Sequence, residues 1–224
     1  MFNKLLVFLI ICAAGSATAQ TEPSANELAA YEGLFRAAHE GDVEGIQMLV
    51  AEGADVNARD GRARTPLHVA AFASNDLALK ALGTAGADMN ALDFQAYDVV
   101  TIAAVANDPE LMTLALDLGN DPGLITSPYD GTALIAAAHL GHVEVVKRLI
   151  AAGAPLDHIN NLHWTAVMEA VVLGDGGSDH QAVLDALLSA GADRSLADRS
   201  GITPLEHART RGYLEMVERL SMAE

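Results

Sequence analysis

Cysteine is almost absent from this chain. Cys12 is the only one in 224 residues, so everything after it lacks disulfides, thiolate nucleophiles and cysteine-held metals. Aromatic residues make up 4% of the chain while hydrophobic residues of all kinds make up 51%, so the core must be built from aliphatic side chains. Positive charge is scarce: 13 Lys and Arg stand against 30 Asp and Glu, a formal net charge of −17. That balance opposes nucleic acid and anionic membrane surfaces, and it keeps an alanine-rich surface soluble. The apolar run from Leu5 to Cys12 is short of the roughly 20 residues that span a bilayer, and no later segment is longer. HExxH, GxSxG, phosphate-loop and dinucleotide patterns are all missing. The sequence therefore indicates no enzyme class and no cofactor.

The first residues instead have the three parts of an export signal. Lys4 is the positive start, Leu5 to Cys12 the apolar middle, and Ala17-Thr18-Ala19 a small-residue cleavage site. Residues 1–19 are expected to be removed, leaving a mature chain that starts at Gln20 in the periplasm or outside the cell, without a membrane anchor. Ile11 stands where a lipid-attachment motif would require a small residue before Cys12, which argues against acylation.

An internal period decides the architecture. Ala37, Ala70, Ala103, Ala137, Ala170 and Ala208 recur at spacings of 33, 33, 34, 33 and 38 residues. Four residues after each lies a turn position: Gly41, Ser74, Asn107, Gly141, Gly174 and Gly212. An apolar helix follows, and Gly53, Gly86, Gly119, Gly153 and Gly191 close it, each suited to a left-handed cap. Polar finger segments such as Asp55 to Gly61 connect one unit to the next. Thr65-Pro66 and Thr203-Pro204 open helices with a hydroxyl cap and a proline in the first turn, and Asp98, Thr132 and Thr165 are equivalent caps. Val43, Ile46, Leu49 and Val50 match Val143, Val146, Leu149 and Ile150, a stripe at helical spacing that only stacked neighbours can bury.

Thr65-Pro66-Leu67-His68-Val69-Ala70, repeated more loosely at Thr203 to Ala208 and Thr132 to Ile135, resembles the signature of ankyrin repeats. The resemblance covers residues 27–224, in units of approximately 27–60, 61–93, 94–127, 128–160, 161–198 and 199–224, after a leader at 20–26. It implies an all-α solenoid of about six helix-turn-helix repeats, whose fingers and first helices form a concave face that binds another protein. A bacterial, exported, monomeric, non-catalytic scaffold is expected. Ser24-Ala25-Asn26-Glu27 is a capping box for the opening helix, and the polar last repeat suits an end cap.

Partner choice must be read where the units depart from their pattern. Repeat three replaces T-P-L-H with Asp98-Val99-Val100-Thr101 and gains a residue around Asn120 to Gly123; repeat five gains Asp175-Gly176-Gly177-Ser178-Asp179, expected to be a flexible loop. Phe94, Tyr97, Tyr129 and Trp164 all fall in fingers. They form either an anchor row for a partner or local packing. Arg59, Arg62 and Arg64 cluster in the first finger; they either grip an acidic group of a partner or pair with Asp55, Asp60 and Asp88. His139, His142, His158 and His163, with the 175–179 insertion, are the only candidates for a metal or small-ligand site, and their spacing fits no ligand motif.

Overall fold

The computed structural model describes residues 20–222. The export signal, its cleavage site and Cys12 lie outside these residues. Thirteen helices and no named strand occur among the described residues. A short helix α1 (Ala25–Ala30) precedes six pairs: α2 (Gly33–Glu40) and α3 (Val43–Ala51), α4 (Pro66–Phe72) and α5 (Asp76–Thr84), α6 (Val99–Ala106) and α7 (Pro109–Asp117), α8 (Ala133–Leu140) and α9 (Val143–Ala151), α10 (Ala166–Val172) and α11 (Ser178–Ser189), α12 (Pro204–Arg211) and α13 (Leu214–Ser221). First helices pack on first helices and second on second, so the layers run the length of the stack. The all-helical solenoid that the resemblance implies is the fold observed, and the stacked helix pairs are those read from the period.

The aligned alanines explain the close stacking. All six are buried, five of them completely, because each lies where two first helices meet and a larger side chain would force them apart. The second helices supply bulk: Ile46, Leu79, Met112, Val146 and Leu184 recur in one register and are fully buried.

Backbone geometry follows the glycine series. Gly53, Gly86, Gly119, Gly153 and Gly191 all have φ between 84° and 96°, with open space around the missing Cβ. Glycine is therefore required by conformation and not by crowding. The turn series is left-handed at Gly41, Ser74, Asn107, Gly141 and Gly212. The five-residue insertion breaks the pattern at Gly174 and moves the left-handed residue to Gly176.

Several local expectations change. The Ser24 capping box is present but opens the separate helix α1, not the first repeat helix. The inserted residues of repeat five are divided between a longer turn and a second helix of 12 residues where its counterparts have about nine. That turn is tied down: Asp175 meets His180 Nδ1 at 3.0 Å, the Tyr213 hydroxyl donates to the Gly174 carbonyl at 3.1 Å, and the Tyr213 ring packs on Gly176. The extra residue of repeat three falls between Gly123 and Ser127, after the segment expected, since Asn90 and Gly123 still occupy equivalent turn positions.

Neighbouring repeats are braced by a recurring bond. Asn75 Nδ2 donates to the Ala38 and His39 carbonyls, His142 Nδ1 lies 2.8 Å from the Ala104 carbonyl, and His180 Nε2 lies 2.9 Å from that of His139. In repeats two, four and five a side chain at or near the start of the second helix thus satisfies carbonyls left open at the end of the preceding repeat's first helix.

Candidate protein-binding face

The fingers are small hairpins built by one repeated side-chain device. Asp60, Asp93, Ser127, Asn160 and Asp198 each accept from the backbone N–H groups two and four residues onward. A short polar side chain can close such a turn because it reaches its own backbone. Three residues past each of these positions the chain is left-handed, at Ala63, Ala96, Asp130, His163 and Gly201.

Adjacent fingers are then joined through their backbones. Phe94 N donates to Arg62 O at 2.8 Å, Ser127 N to Ala96 O at 2.9 Å, and Asn161 N to Tyr129 O at 2.9 Å. The guanidinium of Arg59 bonds the Leu92 carbonyl, and that of Arg199 the Asn161 carbonyl. The tips are held in a fixed row before anything binds, so little ordering is left for association.

Of the four finger aromatics, Phe94 is 75% exposed, Tyr129 and Trp164 are half-buried, and Tyr97 is buried. Tyr97 is local packing, not an anchor. Its carbonyl faces His68 Nε2 at 3.0 Å, while His68 Nδ1 lies 3.1 Å from Thr65 N. A carbonyl can only accept, so Nε2 carries the proton and Nδ1 accepts. Burial lowers the His68 pKa and keeps the ring neutral. The histidine of the T-P-L-H motif thus ties one repeat to the next finger.

The exposed row has members that the sequence reading missed. Ile125, Ile159 and Leu162 are exposed in the two fingers that follow that of Phe94. They lie within two residues of the turn-closing residues Ser127 and Asn160, and it was that polar series, recurring at the repeat period, that offered the signal. Exposed apolar side chains thus recur on three successive fingers of an acidic protein, and exposed apolar surface that gathers in one region marks interaction sites.

The first-finger arginines separate into different roles. Arg64 is fully buried, its Nε 2.8 Å from Asp60 and its Nη2 2.6 Å from Glu27, so with the leader segment seated it is paired internally and is not an exposed contact. Arg62 is exposed and 3.2 Å from Glu27. Arg59 braces fingers, while Asp55 and Asp88 accept from the N–H groups of Asn57 and Asn90. Of the three acids weighed as partners, Asp60 is the one that pairs.

The histidines do not converge. His142 serves the inter-repeat brace, His158 Nε2 lies 2.6 Å from the Asp130 carbonyl, and His163 is exposed at a finger tip. No three metal-ligating side chains cluster among the described residues. His139 Nδ1 approaches Glu169 at 3.4 Å on the first-helix face. Glu169 is 3% exposed; Asn160 donates to one of its oxygens at 3.0 Å, and the other has no hydrogen-bond partner among the described residues.

A family model described as ankyrin repeats (many copies) matches residues 34–82, and one described as ankyrin repeats (3 copies) matches residues 100–198. The putative ankyrin repeat protein YahD of Escherichia coli (strain K12) is 34% identical over 84% of this chain and 93% of its own length. Among solved structures, an ankyrin repeat domain from Acinetobacter baumannii AYE is 44% identical with a TM-score of 0.79, covering 84% of this chain and 95% of that one. The ankyrin repeat domain of Bcl-3, at 24% identity over 85% of each chain and a TM-score of 0.77, shares the fold.

Proposed function

The chain belongs to the ankyrin-repeat family, whose repeats are in general protein–protein interaction modules, and on that premise we propose that it is a non-catalytic scaffold, exported to the bacterial periplasm, that holds a partner protein against its fingers. The observation that carries this is the exposed apolar row of Phe94, Ile125, Ile159 and Leu162 on fingers fixed by backbone bonds. Tyr129 and Trp164 flank that row, and half-buried aromatics are frequent anchors at interfaces. The first finger, which the sequence reading also nominated, contributes Arg62 at its edge. Support for export is the charged, apolar and small-residue order of residues 1–19.

A photo-crosslinking amino acid placed at Phe94 or Leu162, and as a control at the exposed Glu52 just past the end of α3, tests this in the producing cell. Adducts of one defined mass are expected from the two finger positions, in the periplasmic fraction, and none from the control. Phe94→Ala with Leu162→Ala is expected to weaken capture by at least tenfold, about 1.4 kcal/mol, without shifting thermal unfolding. Equal labelling at all three positions would sink the reading.

A further inference from the structure

The segment before the repeats is seated on the repeats. Thr21 donates its N–H to Gln95 Oε1 at 3.2 Å, and its carbonyl accepts from Arg64 Nη1 at 3.3 Å. Glu27 Oε1 lies between two guanidiniums, 2.6 Å from Arg64 and 3.2 Å from Arg62. The Tyr31 hydroxyl donates to Asp60 at 2.7 Å. Glu22, Pro23 and Leu28 close a small cavity whose other walls are His39, Val69, Phe72 and Ala73, on the first helices of repeats one and two. Residues 21–31 therefore run across the first-helix face from repeat one to the finger of repeat three.

Up to Ala30 the seat is made largely of polar contacts: α1 has six residues and none of them is buried, with Leu28 half-buried against the core. Tyr31, at the end of the segment, is its one buried apolar anchor and stacks on Phe35 with ring centroids 5.2 Å apart. A helix as short as α1 does not persist in water by itself, and a segment anchored in the core only at one end opens from the other at low free energy. The recognition elements belong to the repeats instead: an amide acceptor and a guanidinium that read one backbone unit, and a second guanidinium that completes a carboxylate clamp.

We propose that the inner face of repeats one to three is a groove for acidic peptide segments, which the chain fills with its own residues 21–31 until a partner segment of the same chemistry displaces them. The groove adjoins the apolar finger row, sharing Arg62 with its edge, but it reads a carboxylate and a backbone unit, so peptide binding to it is tested independently of that row's role. Because the resident segment is covalently attached, its effective concentration is in the millimolar range for a short linker, so a free peptide competes poorly until the resident segment is loosened.

The test uses the full chain and a labelled synthetic peptide with the sequence of residues 20–32. Glu27→Lys places a cation against Arg62 and Arg64 and is expected to unseat the resident segment, read as faster amide exchange at residues 21–31. The peptide is then expected to bind this variant at least tenfold more tightly than the unaltered chain, and a peptide carrying Gln for its Glu27 at least fivefold more weakly than the first. Release without peptide binding would overturn the proposal, as would a segment that stays seated in the variant. Should the variant fail to fold, exchange in the unaltered chain decides: residues 21–31 are expected to exchange at least a hundredfold faster than α8, and exchange only through global unfolding would count against the proposal.

Discussion

Glu27 shows how much one side chain can organise. Its carboxylate accepts from the N–H and hydroxyl of Ser24 at 2.8 and 2.7 Å and also faces Arg64 and Arg62. The Ser24 hydrogen bonds, followed by the Arg64 charge, lower its pKa from 4.5 to about 2. A carboxylate held lower in the folded state contributes stability above its unfolded pKa and loses it as the pH falls towards the folded value. Residues 21–31 are therefore expected to loosen as the pH drops from about 4.5 to about 2, with Arg62 and Arg64 losing their common partner. Amide exchange or NMR shifts of α1, followed against those of α8, would check this. The Ser24–Glu27 pairing was legible four residues at a time. The arginines 35 and 37 residues away were not, because nothing local says which acid a surface arginine meets.

At the scale of elements, the second helix of repeat three is the irregular one. The residues corresponding to Asn75, His142 and Tyr213 donate to carbonyls of the preceding repeat, but Asp108 stands at that position and, ionised, has no proton to give. It still caps its own helix through Leu111 N at 2.9 Å. Its charge, with that of Glu110, adds to burial in raising the pKa of Asp76 on the preceding second helix. Asp108→Asn keeps the cap, adds a donor and removes a like-charge contact. It is expected to stabilise the protein by about 1 kcal/mol, seen as a higher urea midpoint at unchanged slope. Helix starts were correctly legible from Thr65, Asp98, Thr132, Thr165 and Thr203, since capping involves residues three apart. Asp98 also shows what was hidden: it is buried, burial raises its pKa, and Asn120, past the end of the same repeat's second helix, donates to it at 2.8 Å, a pairing across 22 residues of chain.

For the whole molecule, burial is graded along the stack. Ile46 is the one buried residue of α3, whereas Val145, Val146 and Leu149 of α9 are all fully buried. In a linear array each repeat is stabilised by its two neighbours, and an end repeat by one. Leu149→Ala is expected to cost about 2–5 kcal/mol, and Leu49→Ala, half-buried at the equivalent position of repeat one, less than half of that. Urea unfolding of the two variants side by side would show it; equal losses would mean that the stack does not weaken towards its end.

The sequence by itself determined the period, the order of helix, turn, helix and finger, the left-handed closing glycines and the apolar stripe. Each of these is a relation between residues a few positions apart, repeated until it is unmistakable. It also nominated the fingers as the place where partner choice resides. Tertiary structure alone decided which finger side chains face outward. Tyr97 and Arg64 were equivalent in sequence to exposed candidates, yet Tyr97 is buried where its backbone meets His68 of the preceding repeat, and the leader segment closes over Arg64. Phe94 and Leu162 stayed exposed because no neighbour reaches them. Exposure depends on what lies across the gap between repeats, about 33 residues away along the chain, where no local pattern extends.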